Sequence, residues 1–149
     1  IKAITDPGAF IMGRNMFGSI RGEWDNARIG GWGDDPPYHA PVFVLTHYPL
    51  DPVKMQGGTT FNFVTDGIQS AMDRARKAAG SRNVSVAGGA GTVNRYLSAG
   101  LIGELRLHVA PMLLGAGGRL FEGVRDRNLE MVSVRGNALV THQTYHIVR

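Results

Sequence analysis

Four apolar residues in a row, Val42-Phe43-Val44-Leu45, stand between Pro41 and Thr46-His47 with no polar residue among them. A strand with one wet face alternates apolar and polar side chains. An unbroken run therefore belongs to a strand covered on both faces, the mark of a parallel sheet. Parallel neighbours need long crossovers, which are usually helices, and the downstream sequence has the matching pattern. Thr60 to Val64 reads as the next strand. Asp66 is an N-cap candidate with Gln69 three residues on, a capping-box-like pair. Ile68, Met72, Ala75 and Ala79 then recur at helical spacing, Arg74, Arg76 and Lys77 occupy the opposite face, and Gly80 supplies a left-handed stop.

Val84 to Ala87 reads as another strand and ends in Gly88-Gly89-Ala90-Gly91. A second helix is expected over Thr92 to Ala99, packing Val93 and Leu97. Leu105 to Leu114 is expected as a long strand, bent near Pro111 and closed by Gly115-Ala116-Gly117-Gly118. The closing residues alternate on either side of Gly136-Asn137, which predicts an antiparallel hairpin with one wet face. Near the start, Ala9 to Met12 reads as an apolar strand or helix fragment. Between Gly18 and Pro41, glycines, prolines and two tryptophans read as one long irregular loop. The expectation is a single three-layer α/β/α domain, its central sheet mostly parallel, with an antiparallel C-terminal hairpin; 149 residues are the length of one domain.

The chain has no cysteine, which excludes disulfides, thiolate metal sites and cysteine nucleophiles together. It has no apolar run long enough to span a membrane and no leader-like opening, so a soluble, cytoplasmic protein without a membrane partner is expected. Sixteen basic against twelve acidic residues give +4. That balance favours an anionic partner, and because the arginines are scattered, a small phosphorylated molecule suits it better than a nucleic acid. Glycine is the other departure. The 21 glycines, about twice the usual share, sit at the junctions between apolar runs, where tight turns or a close ligand need them.

Two of those junctions could hold an anion. Ala87-Gly88-Gly89-Ala90-Gly91-Thr92 leads a strand into a helix N-terminus, where free amides and the helix dipole favour negative charge. It matches neither standard phosphate fingerprint, and a purely structural turn stays open as the alternative. Gly13-Arg14-Asn15-Met16 is a second junction with a guanidinium beside it, suited to phosphate. Trp24 and Trp32 could stack on a heteroaromatic substrate or simply anchor their loop. The histidines point to no metal. His142 and His146 lie four apart on an alternating strand, about 13 Å along the chain, and His39, His47 and His108 have no partner at ligand spacing. There is no Gly-x-Ser-x-Gly elbow. Glu23, Asp25, Asp34, Asp35 and Glu104 are acid–base candidates without a distinguishing pattern, and no general acid is assigned.

Taken in order, Gly13-Arg14-Asn15-Met16-Phe17, the Val42–Thr46 strand, Val86-Ala87-Gly88-Gly89-Ala90, the Leu97–Leu105 segment and Ala110-Pro111-Met112-Leu113-Leu114-Gly115-Ala116-Gly117 resemble the dihydrofolate-reductase-like superfamily. The nearest branch is the RibD C-terminal reductase domain of riboflavin synthesis, and the resemblance covers essentially the whole chain. It implies an NADPH-dependent oxidoreductase similar to the 5-amino-6-(5-phosphoribosylamino)uracil reductase. Such an enzyme would pass hydride to a C=N or C=O carbon of a small heterocyclic or sugar-derived molecule. The alternative is a nucleotide-binding module without turnover. The resemblance places cofactor phosphates between Gly13, Arg14, Asn15 and Met16 on one side and Gly88, Gly89, Ala90, Gly91, Thr92 and Val93 on the other. Thr46 and His47 would face the adenosine 2′-phosphate, and the Gly-Gly peptide would be cis. It further implies a homodimer. Two departures are expected from the family's pattern: its first strand, which would precede Ile1, is expected to be lacking, and Ala87 replaces the glutamate with which riboflavin-pathway members grip their pyrimidine.

Overall fold

The computed structural model describes residues 6–18, 22–24 and 31–148. It divides into two compact units, Ile1–Val93 and Asn94–Arg149. In the first, strands β1 (Ala9–Gly13), β2 (Pro41–Leu45), β3 (Val53–Lys54), β4 (Thr60–Val64) and β5 (Val84–Gly88) form one sheet in the order β3-β4-β2-β1-β5. All neighbours are parallel except β3, which pairs antiparallel with β4. A two-residue strand carries too little pattern to be seen in the sequence. Helix α1 (Arg14–Phe17) follows β1 directly and α2 (Ile68–Ala79) crosses from β4 to β5. Helix α3 (Ala90–Ser98) begins here and continues into the second unit.

The continuous apolar runs are covered as expected. Every residue of β1 is buried, and so are Val42 to Leu45 of β2. Phe10, Met12, Val42 and Val44 join Phe17, Tyr38, Phe61 and Phe63 in one cluster, where Phe17 meets Phe61 and Phe63 edge-on. Burial pushes the Tyr38 hydroxyl up to about 12. Helix α2 turns Ala71, Met72, Ala75 and Ala79 inward and packs on β1, β2 and β5. Three alanines in that face let the helix backbone approach closely.

The ends of the helices differ from the reading in two respects. The N-cap of α2 is Gly67, at φ 101°, with no side-chain cap bond. Asp66 stands one residue too early to cap, and Gln69 instead donates to Asp73 Oδ1 at 2.9 Å, one turn along the helix. Helix α3 starts at Ala90 rather than Thr92: the Val93 amide already donates to the Gly89 carbonyl at 3.0 Å, so the glycine-rich run is itself the first turn. At the other end of α2, Gly80 (φ 62°) closes the helix with its amide on the Arg76 carbonyl.

In the second unit β6 (Glu104–Val109), β7 (Leu129–Gly136) and β8 (Thr141–Ile147) form an antiparallel sheet in the order β6-β8-β7. The turn after Gly136 is held by Asn137, whose Oδ1 accepts from the amides of Leu139 and Val140. The long strand expected to Leu114 ends at Val109: Pro111 cannot donate to a ladder, and Met112 turns back onto the Ala110 carbonyl. The expected dry face of the hairpin is also left uncovered at β7 among the described residues. All of β7 is exposed, Leu129, Met131 and Val134 included. The architecture is nonetheless the α/β one expected, a mostly parallel sheet with an antiparallel hairpin at the C-terminal end.

Gly8 tests the close helix contact. A Cβ there would stand 2.9 Å from the Ala79 Cα and 2.8 Å from the Arg82 Cβ, neither of them a flexible end. Gly8→Ala is expected to lower stability by about 1–3 kcal/mol, the usual cost of overpacking, measured by urea unfolding.

Candidate functional site

The chain leaves β1, pairs β2 beside it and β4 beyond, then returns across α2 to lay β5 on the opposite side of β1. The strand order thus reverses between β1 and β5. In open α/β sheets the crevice at the carboxyl ends of the strands, at such a reversal, is where ligands bind. The glycine junctions lie there. Met12 is in register with Gly88, so the two strands end level, one in Gly13-Arg14 and the other in Gly88-Gly89-Ala90. Residues far apart in sequence are brought so near that a Cβ on Gly13 would collide with the Thr92 hydroxyl and stand 3.8 Å from the Gly89 nitrogen.

The glycines on the β5 side have distinct roles. Gly88 sits at φ 143°, which side chains rarely allow, and a Cβ there would approach Met16 Sδ at 3.2 Å. The Gly88–Gly89 peptide is cis, as the resemblance implied. Gly89 and Gly91 are exposed, and a Cβ on either would meet open space. They therefore leave room above the first turn of α3. There the amides of Ala90, Gly91 and Thr92 precede the first intrahelical donor, Val93, and point outward at the positive end of the helix dipole.

Arg14 lies on the β1 side, and its partners are specific. One terminal nitrogen donates to Thr46 Oγ1 at 3.0 Å and the other to the Gly22 carbonyl at 3.0 Å. The guanidinium carbon stands 3.5 Å from the centre of the Trp24 ring, a short cation–π distance. Trp24 Nε1 donates to the Tyr48 carbonyl at 2.8 Å, and the Tyr48 amide donates to Thr46 Oγ1 at 3.1 Å. Partial burial lowers the Arg14 pKa, against an opposing influence from Tyr48; an arginine keeps its charge through such a shift. Arg14 and Thr46 are thus together, and they also fasten the 22–24 segment to the end of β2.

The remaining expected residues are spread around this centre. Asn15 and His47 are exposed; Met16, Ala90, Thr92 and Val93 are half-buried. Trp24 packs edge-on against Phe17 and Phe63, and Trp32 against Tyr38. Both indoles therefore lie against the core cluster, the loop-anchoring arrangement. Glu23, Asp34 and Asp35 are exposed, and Asp25 lies outside the described residues. Sequence reasoning missed Tyr48, whose only signal was its place two residues after Thr46. It also missed the Gly22 carbonyl, which had no signal at all.

The RibD C-terminal domain model matches residues 3–142. The chain belongs to the RibD C-terminal domain family. Among its relatives is the Uncharacterized protein YyaP of Bacillus subtilis (strain 168), 35% identical over 107 residues, which cover 68% of this chain and 56% of that protein. The chain thus spans little more than half the length of that relative. Among solved structures, a putative riboflavin biosynthesis protein from Shewanella sp. PV-4 superposes with a TM-score of 0.63 at 24% identity, over 96% of this chain and 75% of that one. RibD of Acinetobacter baumannii does so with a TM-score of 0.63 at 17% identity, over 95% and 47%. At these identities the RibD-like structures show a shared fold. Among the described residues, no helix is long and apolar enough to cross a membrane.

The Arg14 contacts predict a measurable outcome. In a Trp32→Phe background, Arg14→Ala should shift Trp24 emission to longer wavelength as the ring loses its cover. It should cost about 1–2 kcal/mol in urea unfolding, the scale of a charged hydrogen-bonding and cation–π cluster at a half-buried site.

Proposed function

We propose that the protein is an NADPH-dependent reductase whose cofactor phosphates sit between the Gly13–Met16 junction and the Gly88–Val93 turn. The observation that carries this reading is the meeting of those two glycine junctions at the reversal of strand order. There, among the described residues, outward-facing helix amides, an arginine and open space above glycine coincide. The outward amides of Ala90 to Thr92 suit a diphosphate, with Arg14 adding a fixed positive charge. Thr46 and His47, at the end of β2, are the residues this reading sets against a 2′-phosphate, and the exposed His47 imidazole is free to turn toward one. NADPH would supply the hydride, while this chain binds and orients it and the acceptor. The acceptor is a small heterocyclic or sugar-derived C=N or C=O compound of the riboflavin-pathway kind. Ala87, a residue before the cis peptide, offers that acceptor no carboxylate.

Fluorescence titration with NADPH and NADH tests the site. Wild type should bind NADPH the more tightly. Gly89→Val should abolish binding without loss of stability, because its side chain enters open space in front of the amides. Arg14→Ala should weaken binding by about tenfold or more, the worth of one charge-assisted contact. Equal binding by wild type and Gly89→Val would overturn the placement. NADPH bound tightly but oxidised by no pyrimidine or sugar-derived acceptor would favour a binding module without turnover.

The same reading includes a homodimer formed through the C-terminal strands. Leu129, Met131 and Val134 share one face of the β7–β8 pair and are each about half exposed, a row of apolar surface that a second copy would cover. Sedimentation should find a dimer for wild type and a monomer for Val134→Asp; a monomeric wild type would refute this part.

A further inference from the structure

The opposite face of the antiparallel sheet carries chemistry that the proposed reductase does not use. Across β6 and β8, His108 stands directly opposite His142 and Glu104 opposite His146; across β8 and β7, Arg135 opposes His142 and Glu130 opposes His146. Because side chains alternate with a period of two, these groups share one face. The sequence left His108 without a partner, since the residue that meets it is 34 positions away.

The meeting is close. His108 Nδ1 and His142 Nδ1 are 2.6 Å apart, and the rings stand edge-to-face with centroids separated by 4.8 Å. One imidazole therefore donates and the other accepts, so two nitrogens capable of holding a metal already stand side by side. His108 is exposed, which leaves that point open to solvent. We propose that His108 and His142 form a two-imidazole site for a borderline transition-metal cation, Cu2+, Ni2+ or Zn2+, that clips β6 to β8.

Metal–imidazole bonds are about 2.0–2.1 Å long, so a chelating pair of nitrogens stands roughly 3 Å apart. A cation so held lies to one side of the line between the nitrogens, so the rings part by a few tenths of an ångström and also turn, each Nδ1 lone pair swinging from its neighbour toward the metal. The donor imidazole moves that proton to its own Nε2, leaving both Nδ1 lone pairs on the metal with no net loss of protons; water fills the remaining positions. Neighbouring charges define the site further. Glu104 Oε1 holds Arg106 at 2.5 Å, and its other oxygen lies 3.6 Å from His146 Nε2. The carboxylates thus gather at the His146 end, away from the pair, and a hard cation such as Ca2+ or Mg2+ finds no oxygen cluster at His108. Arg135 is the cation facing His142 and weakens, without blocking, the affinity for a dication.

Calorimetric titration of the untagged protein with Cu2+, Ni2+ and Zn2+, each alone at neutral pH, tests the site. One cation per chain should bind, Cu2+ the tightest, following the ligand preference of imidazole. His108→Asn and His142→Asn, checked for native circular dichroism, should each weaken binding by more than about tenfold, the scale on which altering a metal site acts. His146→Asn should leave it unchanged. Absence of saturable binding, equal binding by His108→Asn, or loss of binding in His146→Asn would each overturn the assignment. Arg135→Gln should tighten binding, because it removes the cation opposite His142, and weaker binding by this variant would overturn the placement of the metal beside His142.

Discussion

Strand β1 is the constraint on which the rest of the first unit depends. It is hydrogen-bonded on both edges, to β2 and to β5, and closed on both faces, so each of its five residues is buried. A strand so enclosed has one direction of exit, its carboxyl end. The backbone that emerges there must turn at once, because α1 begins at the next residue. Gly13 makes that turn against Thr92 with no space for a side chain. The level register of β1 and β5 then sets the second glycine junction beside the first.

Arg14 is placed by the same geometry. It is the first residue beyond the buried strand, and its side chain spans from the end of β1 to the end of β2. Through Thr46, Gly22 and Trp24 it ties three chain segments together. A phosphate arriving at this crevice would meet a guanidinium already oriented by Thr46 and the Trp24 face. An oriented cation loses less freedom on binding than a surface arginine does. The packing that stabilises the segment and the electrostatics of the proposed site therefore rest on one side chain.

The second unit presents a different surface logic. Its antiparallel sheet has one apolar and one polar, histidine-bearing face, and β7 is exposed throughout. An edge strand of eight exposed residues carrying Met131 and Val134 gains by meeting a partner, whereas the polar face can stay in water. The two faces therefore support separate proposals, a second copy on one and a metal cation on the other.

The sequence by itself determined the elements whose signal is local. The unbroken Val42–Leu45 run predicted burial on both faces, the 68–79 periodicity defined a helix and three of its inner residues while missing Ala71, and the Gly136-Asn137 turn set the hairpin. The glycine junctions were legible as places where backbone must come close to something, and the motifs in order pointed to the RibD C-terminal domain family. Local signals failed where competition decided the outcome. Gly67 rather than Asp66 capped α2, Pro111 ended a strand whose apolar run continued, and the β7 alternation described a face that stays exposed among the described residues. Only the tertiary structure decided which distant residues meet: Gly13 with Thr92, Arg14 with Gly22 and Trp24, His108 with His142. Such contacts are set by strand order and register, and these are fixed by burying the whole sheet at once rather than by any window of sequence.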